Sequence, residues 1–121
     1  MAHAREAAPD ECCGLLLGGD AEIVEALRAR NIADAPASRF LIDPVDHFNA
    51  LRTARARSLE IVGFYHSHPR SAAEPSARDQ AEFDYPGHLY AIVSLQREPA
   101  EVRLYRFTSG KFQPVSFVTV S

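Results

Sequence analysis

The sequence predicts an α+β fold, a mixed and largely antiparallel β-sheet flanked by helices. Three observations predict it. Short apolar runs bounded by glycine, proline or charged residues recur along the chain. Two segments carry helix formers or helical spacing instead, and the C-terminal part reads as a hairpin. At 121 residues with 46% hydrophobic content, the chain has enough for one core and too little for two domains. Residues 1–121 are therefore expected to form a single domain.

Residues 2–8, AHAREAA, are helix formers that Pro9-Asp10 brings to an end. CCGLLLGGD reads as a short buried strand stopped by Gly18-Gly19-Asp20. AEIVEALRARN has helical propensity, but its position after a tight Gly-Gly turn favours a strand paired with the previous one. RFLID reads as another short strand. Asp43 is a candidate cap and Pro44 suits a first helical turn. Val45, Phe48, Leu51 and Ala54 then recur at helical spacing, so this helix is expected to pack the face they share. LEIVGFYH reads as a central strand, residues from Ser76 to about Phe83 as a short helix, and LYAIVSL as a second buried strand. VRLYRF and FQPVSFVTV flank the turn Thr108-Ser109-Gly110 with alternating sides.

Thirteen Lys and Arg against 16 Asp and Glu leave a net charge of −3, which offers no electrostatic reason to expect nucleic acid as a partner. The first residues lack an apolar stretch of signal-peptide length, and no run approaches the ~18 apolar residues of a membrane helix. The two cysteines, Cys12 and Cys13, are neighbours and cannot close a useful loop. They read as core thiols, and with no export signal the expected compartment is a reducing cytoplasm.

The stretch GFYHSHPRSAAEPSARDQ concentrates the chemistry. Residues two apart in a strand share a face, so His66 and His68 project together while Ser67 points away. Pro69 cannot continue the ladder, which puts the pair at a strand end. Two such imidazoles can hold one edge of a zinc tetrahedron. A catalytic zinc takes three protein ligands and keeps a position for water; Asp79, in the first turn of the expected helix, is the natural third. Glu11, just before the buried run CCGLLL, is the candidate base. Neither HExxH nor the PCxxC half of the zinc deaminases is present. Each piece has a second reading. A His-x-His pair can be structural, Ser76-x-x-Asp79 also fits a capping box, and Glu11 and Glu74 can be solvated acids. His47 and His88 have no motif context, and His3 lies at a chain start expected to fray.

Taken together, PDECCGLLLGG, GFYHSHP and EPSARDQAEF resemble the motif of the JAMM metalloproteases, also called the MPN-plus or Mov34/PAD-1 family. That motif is a glutamate, then His-Ser/Thr-His-Pro, then Ser-x-x-Asp, and each element has a counterpart here. The resemblance extends from about Ala8 to Phe107. It implies a JAMM/MPN fold with a cytidine-deaminase-like core, and Zn2+ held at His66, His68 and Asp79. It implies Glu11 as general base and proton donor, and Ser76 as hydrogen-bond donor to the oxyanion. Members cleave peptide or isopeptide bonds at the tail of ubiquitin or a ubiquitin-like protein. This compact chain is most similar to the short bacterial type, some of which process sulfur-carrier proteins. The family usually has a strand and a longer helix ahead of the glutamate, so part of that leader is expected to be missing here. The competing expectation from another class is a zinc-stabilised MPN-type binding module without turnover. A DNA-associated relative sharing the His-x-His-Pro…Ser-x-x-Asp layout is disfavoured by the acidic balance.

Overall fold

The computed structural model describes residues 2–19, 22–76 and 87–117. Within them the order is α1 (Ala2–Ala7), β1 (Cys13–Gly19), β2 (Glu22–Ala29), α2 (Pro44–Ala56), β3 (Glu60–His68), β4 (Leu89–Ser94), β5 (Glu101–Thr108) and β6 (Lys111–Val115). The strands form one sheet in the order β2-β1-β3-β4-β5-β6. Every neighbouring pair is antiparallel except β3 and β4, which are parallel. A parallel pair needs a long crossover, and that crossover leaves from the end of β3 where the histidine pair sits. The α+β expectation is met, and AEIVEALRARN is the strand its turn implied.

Both faces of the sheet are covered at its centre. On one face, Ala4 of α1 packs with Cys12, Leu16, Tyr65, Leu89, Ala91, Val93 and Leu104. On the other, Ala50 of α2 packs with Cys13, Leu15, Phe64, Tyr90 and Phe107. This is why β3 and β4 read as near-continuous apolar runs rather than alternating ones. At the β5–β6 turn, Ser109 and Gly110 both adopt positive φ, 53° and 74°, the backbone twist that a tight hairpin needs.

Three expectations are corrected. RFLID is not a strand: its segment makes a single bridge, Asn31 to Ile42. The Asn31 side chain takes the bonds a ladder would use, with its Oδ1 accepting from Leu41 N–H and Ala33 N–H at 3.0 Å. Second, α2 is turned about its axis. Asp43 caps it as expected, accepting from Val45 N–H at 2.8 Å. Yet Val45, Phe48 and Leu51 are 57%, 59% and 47% exposed, while Ala50 and Ala54 are buried. The Arg30 backbone N–H donates to Asp46 Oδ2 at 2.8 Å, and its guanidinium bonds Asp46 and Asp43. These bonds hold the Asp46 carboxyl below the usual range and face it toward β2. Ala50 and Ala54 follow at i+4 and i+8, so they inherit the inward side. Their small size lets the helix backbone lie close over Phe64.

Third, the chain start is anchored. His3 Nδ1 and the Tyr65 hydroxyl meet at 2.7 Å, and Arg28 bonds Glu6 at 3.1 Å. Burial lowers the His3 pKa and raises that of Tyr65, so both groups are held toward their neutral forms, and the imidazole tautomer sets which of them donates. The helix expected from Ser76 to about Phe83 lies, beyond Ser76, outside the described residues. Among those described, no helix is long and apolar enough to cross a membrane.

Tyr65 reaches α1 by passing over Gly14, its partner in register. A Cβ at Gly14 would lie 2.2 Å from the Tyr65 ring and 2.3 Å from the Leu27 carbonyl oxygen. Gly14→Ala is expected to cost about 3 kcal/mol through overpacking. Urea unfolding measures this, and a midpoint equal to the parent's would show that β1 and the ring part without strain.

Candidate metal centre

Backbone pairing assembles the site. Cys13 pairs with His66 across β1 and β3. One residue further, the Ser67 N–H donates to the Cys12 carbonyl at 3.1 Å. Glu11 lies one residue before this bond, at the entry to β1. Ser67 points to the other side as expected; its Oγ accepts from the Cys12 N–H at 2.8 Å. Glu11 itself is 7% exposed. Its backbone is fixed from the 31–39 segment: Glu11 N–H donates to the Pro36 carbonyl at 2.8 Å, and Asn31 Nδ2 donates to the Glu11 carbonyl at 3.0 Å.

His66 and His68 lie on one face at the end of β3, 1% and 5% exposed. Their Nε2 atoms are 3.1 Å apart. The tautomer of His68 follows from its other nitrogen. His68 Nδ1 lies 2.8 Å from the Ala72 carbonyl, which can only accept, so Nδ1 carries the proton and Nε2 presents a lone pair. His66 is oriented by Phe40, whose ring stacks on it at 4.4 Å and 19°.

This donor set fits zinc. Nitrogens ~2.0–2.1 Å from a tetrahedral zinc stand roughly 3.3 Å from each other, close to the spacing seen. An Nδ1–H held by a carbonyl is the usual outer support of a ligand histidine. Among the described residues no group of three His, Cys, Asp or Glu side chains is placed to hold a metal ion. Asp79 lies outside those residues. Ser76 is their last position before the crossover's undescribed part, and it is exposed.

The structure thus brings together His66, His68 and the strand entry carrying Glu11. Two contributors were missed in the sequence, Asn31 and Phe40. Asn31 had no motif signal, and Phe40 was hidden in a segment misread as a strand. His47 and His88 do not join the pair; they flank Phe64, ring centroids 5.8 Å away in each case. Glu74 is exposed, with Arg103 at 3.9 Å.

Residues 1–108 match the family model described as prokaryotic homologs of the JAB domain. The chain is 34% identical to a desampylase from Haloferax volcanii, over 96% of this chain and 86% of that protein. It is 31% identical to the CysO-cysteine peptidase of Mycobacterium tuberculosis, over 98% of this chain and 84% of the relative. A solution structure of a Desulfitobacterium hafniense protein superposes with a TM-score of 0.87 at 29% identity, covering 97% of this chain and 83% of that one.

Cys12 and Cys13 are buried free thiols beside this site. Burial, then the neighbouring charges of Cys12, Asp46 and Glu11, push the Cys13 thiol up to about 12, and burial raises Cys12 as well. Neither is a thiolate near neutral pH, so neither is poised as a nucleophile. Both thiols are expected to resist iodoacetamide at pH 8 in the folded protein and to react in urea. Mass spectrometry checks this, and rapid native labelling would refute their burial.

Proposed function

The chain belongs to the family of prokaryotic JAB-domain homologs, and from that membership we propose that it is a zinc-dependent peptidase or isopeptidase. Its substrate in this reading is an amide bond at the C-terminal tail of a ubiquitin-like protein, a sulfur carrier being the nearest candidate. The observation that carries the reading is the dry histidine pair, two Nε2 atoms converging with one tautomer set by a carbonyl. The names of the relatives, a desampylase and a CysO-cysteine peptidase, support the hydrolase and the substrate class. The unbroken sheet from β2 to β6 supports treating residues 1–121 as one domain.

His66, His68 and Asp79 would hold the zinc. When bound, zinc supplies a Lewis acid for the scissile carbonyl and makes water a competent nucleophile near neutral pH. Glu11, buried at the strand mouth, accepts the proton of the attacking water and passes it to the leaving nitrogen. The amide and one water thereby become a carboxylate and an ammonium. Ser76 donates a hydrogen bond where negative charge gathers on the carbonyl oxygen. Phe40 stacked on His66 keeps bulk water from that side of the ring.

Two substitutions separate the roles. Glu11→Gln is expected to lower cleavage of a carrier-tail fusion about 10³-fold, the size of a general-base contribution, while about one zinc per chain remains. Asp79→Ala should lose most of the zinc, read by elemental analysis. Full activity in Glu11→Gln would defeat the assigned base. Zinc that stays bound in a parent with no turnover on any tail substrate would point to a binding module instead.

A further inference from the structure

Directly after the histidine pair, three successive carbonyls are each held by a side chain from a different strand. Ser94 Oγ, at the end of β4, donates to the Ser71 carbonyl. His68 Nδ1, at the end of β3, donates to the Ala72 carbonyl at 2.8 Å. The Tyr105 hydroxyl, on β5, donates to the Ala73 carbonyl at 2.7 Å. Ser94 and Tyr105 are 3% and 5% exposed, so these two donor residues are buried. Ser94 sits beside His68 in the parallel β3–β4 register, and the Leu95 N–H donates to the His68 carbonyl at 3.1 Å. Ala73 is buried against Ile92 and Tyr105, while Ser71 and Ala72 are exposed. Within residues 71–73, apolar packing therefore acts at Ala73 alone. Hydrogen bonds do the rest.

We infer that Ser94 and Tyr105 are positioning residues for His68: by fixing the carbonyls on either side of Ala72, they keep the Ala72 oxygen where it holds the His68 ring. The inference rests on the reading of His66 and His68 as metal ligands. With the carbonyls on both sides held, a turn of the rigid Ala72 peptide unit is restrained at each flank. With that oxygen fixed, Nδ1 keeps its proton and the Nε2 lone pair stays aimed at His66. The same clamp sets where the chain leaves the loop toward Ser76. Neither hydroxyl belongs to the metal-binding motif. Their effect passes through the backbone of residues 71–73.

The test uses Tyr105→Phe and Ser94→Ala in the full chain, with Phe112→Leu as control. Tyr105→Phe keeps the ring and its edge contact with Phe112 and removes the hydroxyl, which also neighbours Arg103. Phe112→Leu loosens the same cluster and leaves the three carbonyl bonds in place. Nitrogen-15 NMR of the histidine rings in the metal-free protein at pH 8.5 reads the His68 tautomer. Competition with a chromophoric chelator reads zinc affinity. The parent should show His68 as the Nδ1–H form. Both hydroxyl variants should show a mixture with the Nε2–H form and bind zinc roughly 10- to 100-fold more weakly, the usual scale for outer-shell partners. Phe112→Leu should match the parent in both readouts.

Parent-like tautomer and affinity in both hydroxyl variants would overturn the positioning roles and leave the metal reading standing. Equal losses in the hydroxyl variants and in Phe112→Leu would also overturn them, as general loosening. A parent that binds no zinc would defeat the metal reading instead, and the tautomer signal would still decide whether the hydroxyls orient His68. Should Tyr105→Phe not fold, Ser94→Ala carries the same decision alone.

Discussion

Cys12 and Ser67 meet across the middle of the sheet through two bonds. The Ser67 N–H donates to the Cys12 carbonyl at 3.1 Å, and the Cys12 N–H donates to the Ser67 Oγ at 2.8 Å. The junction lies one residue past the last paired position of β1 and one before the end of β3. It fixes which side of the sheet the histidines occupy. A slip of one residue would send His66 and His68 to the α1 face and bring Ser67 to the other. The Ser67 hydroxyl therefore has a structural reason to sit between two histidines: it satisfies a buried N–H where strand pairing gives way to loop.

The surroundings of the pair are dry for reasons unconnected with chemistry. Strand β3 is interior to the sheet, and helices cover both faces at its centre. Burial keeps bulk water from the two Nε2 atoms, and the Ala72 carbonyl sets the His68 tautomer so that its Nε2 lone pair faces His66. Burial also acts on Cys13, holding its thiol protonated.

The turn of α2 shows how a few polar bonds override an apolar pattern. The helix has two candidate inward faces, one with Val45, Phe48 and Leu51, the other with Ala50 and Ala54. The Arg30–Asp46 bonds at its first turn select the second, leaving the larger residues exposed. A similar economy holds the loop after β3, where three carbonyl bonds replace the apolar anchors that small residues cannot supply.

The sequence alone determined whatever depends on local periodicity and on spacing within one strand. His66 and His68 share a face because strand side chains alternate, Pro69 stops the strand because it lacks a donor, and Asp43 caps α2 because its side chain reaches the first free N–H. The hairpin at Ser109-Gly110 was legible for the same reason. Tertiary structure decided the rest. Asn31 and Phe40 serve the site from a segment distant in sequence. Ser94 and Tyr105 reach the loop from two other strands, and only strand order brings them there. The inward face of α2 hung on Arg30, a residue outside the helix. Local patterns constrain the groups on one element; which element meets which is set by the sheet's register and by the single crossover from β3 to β4.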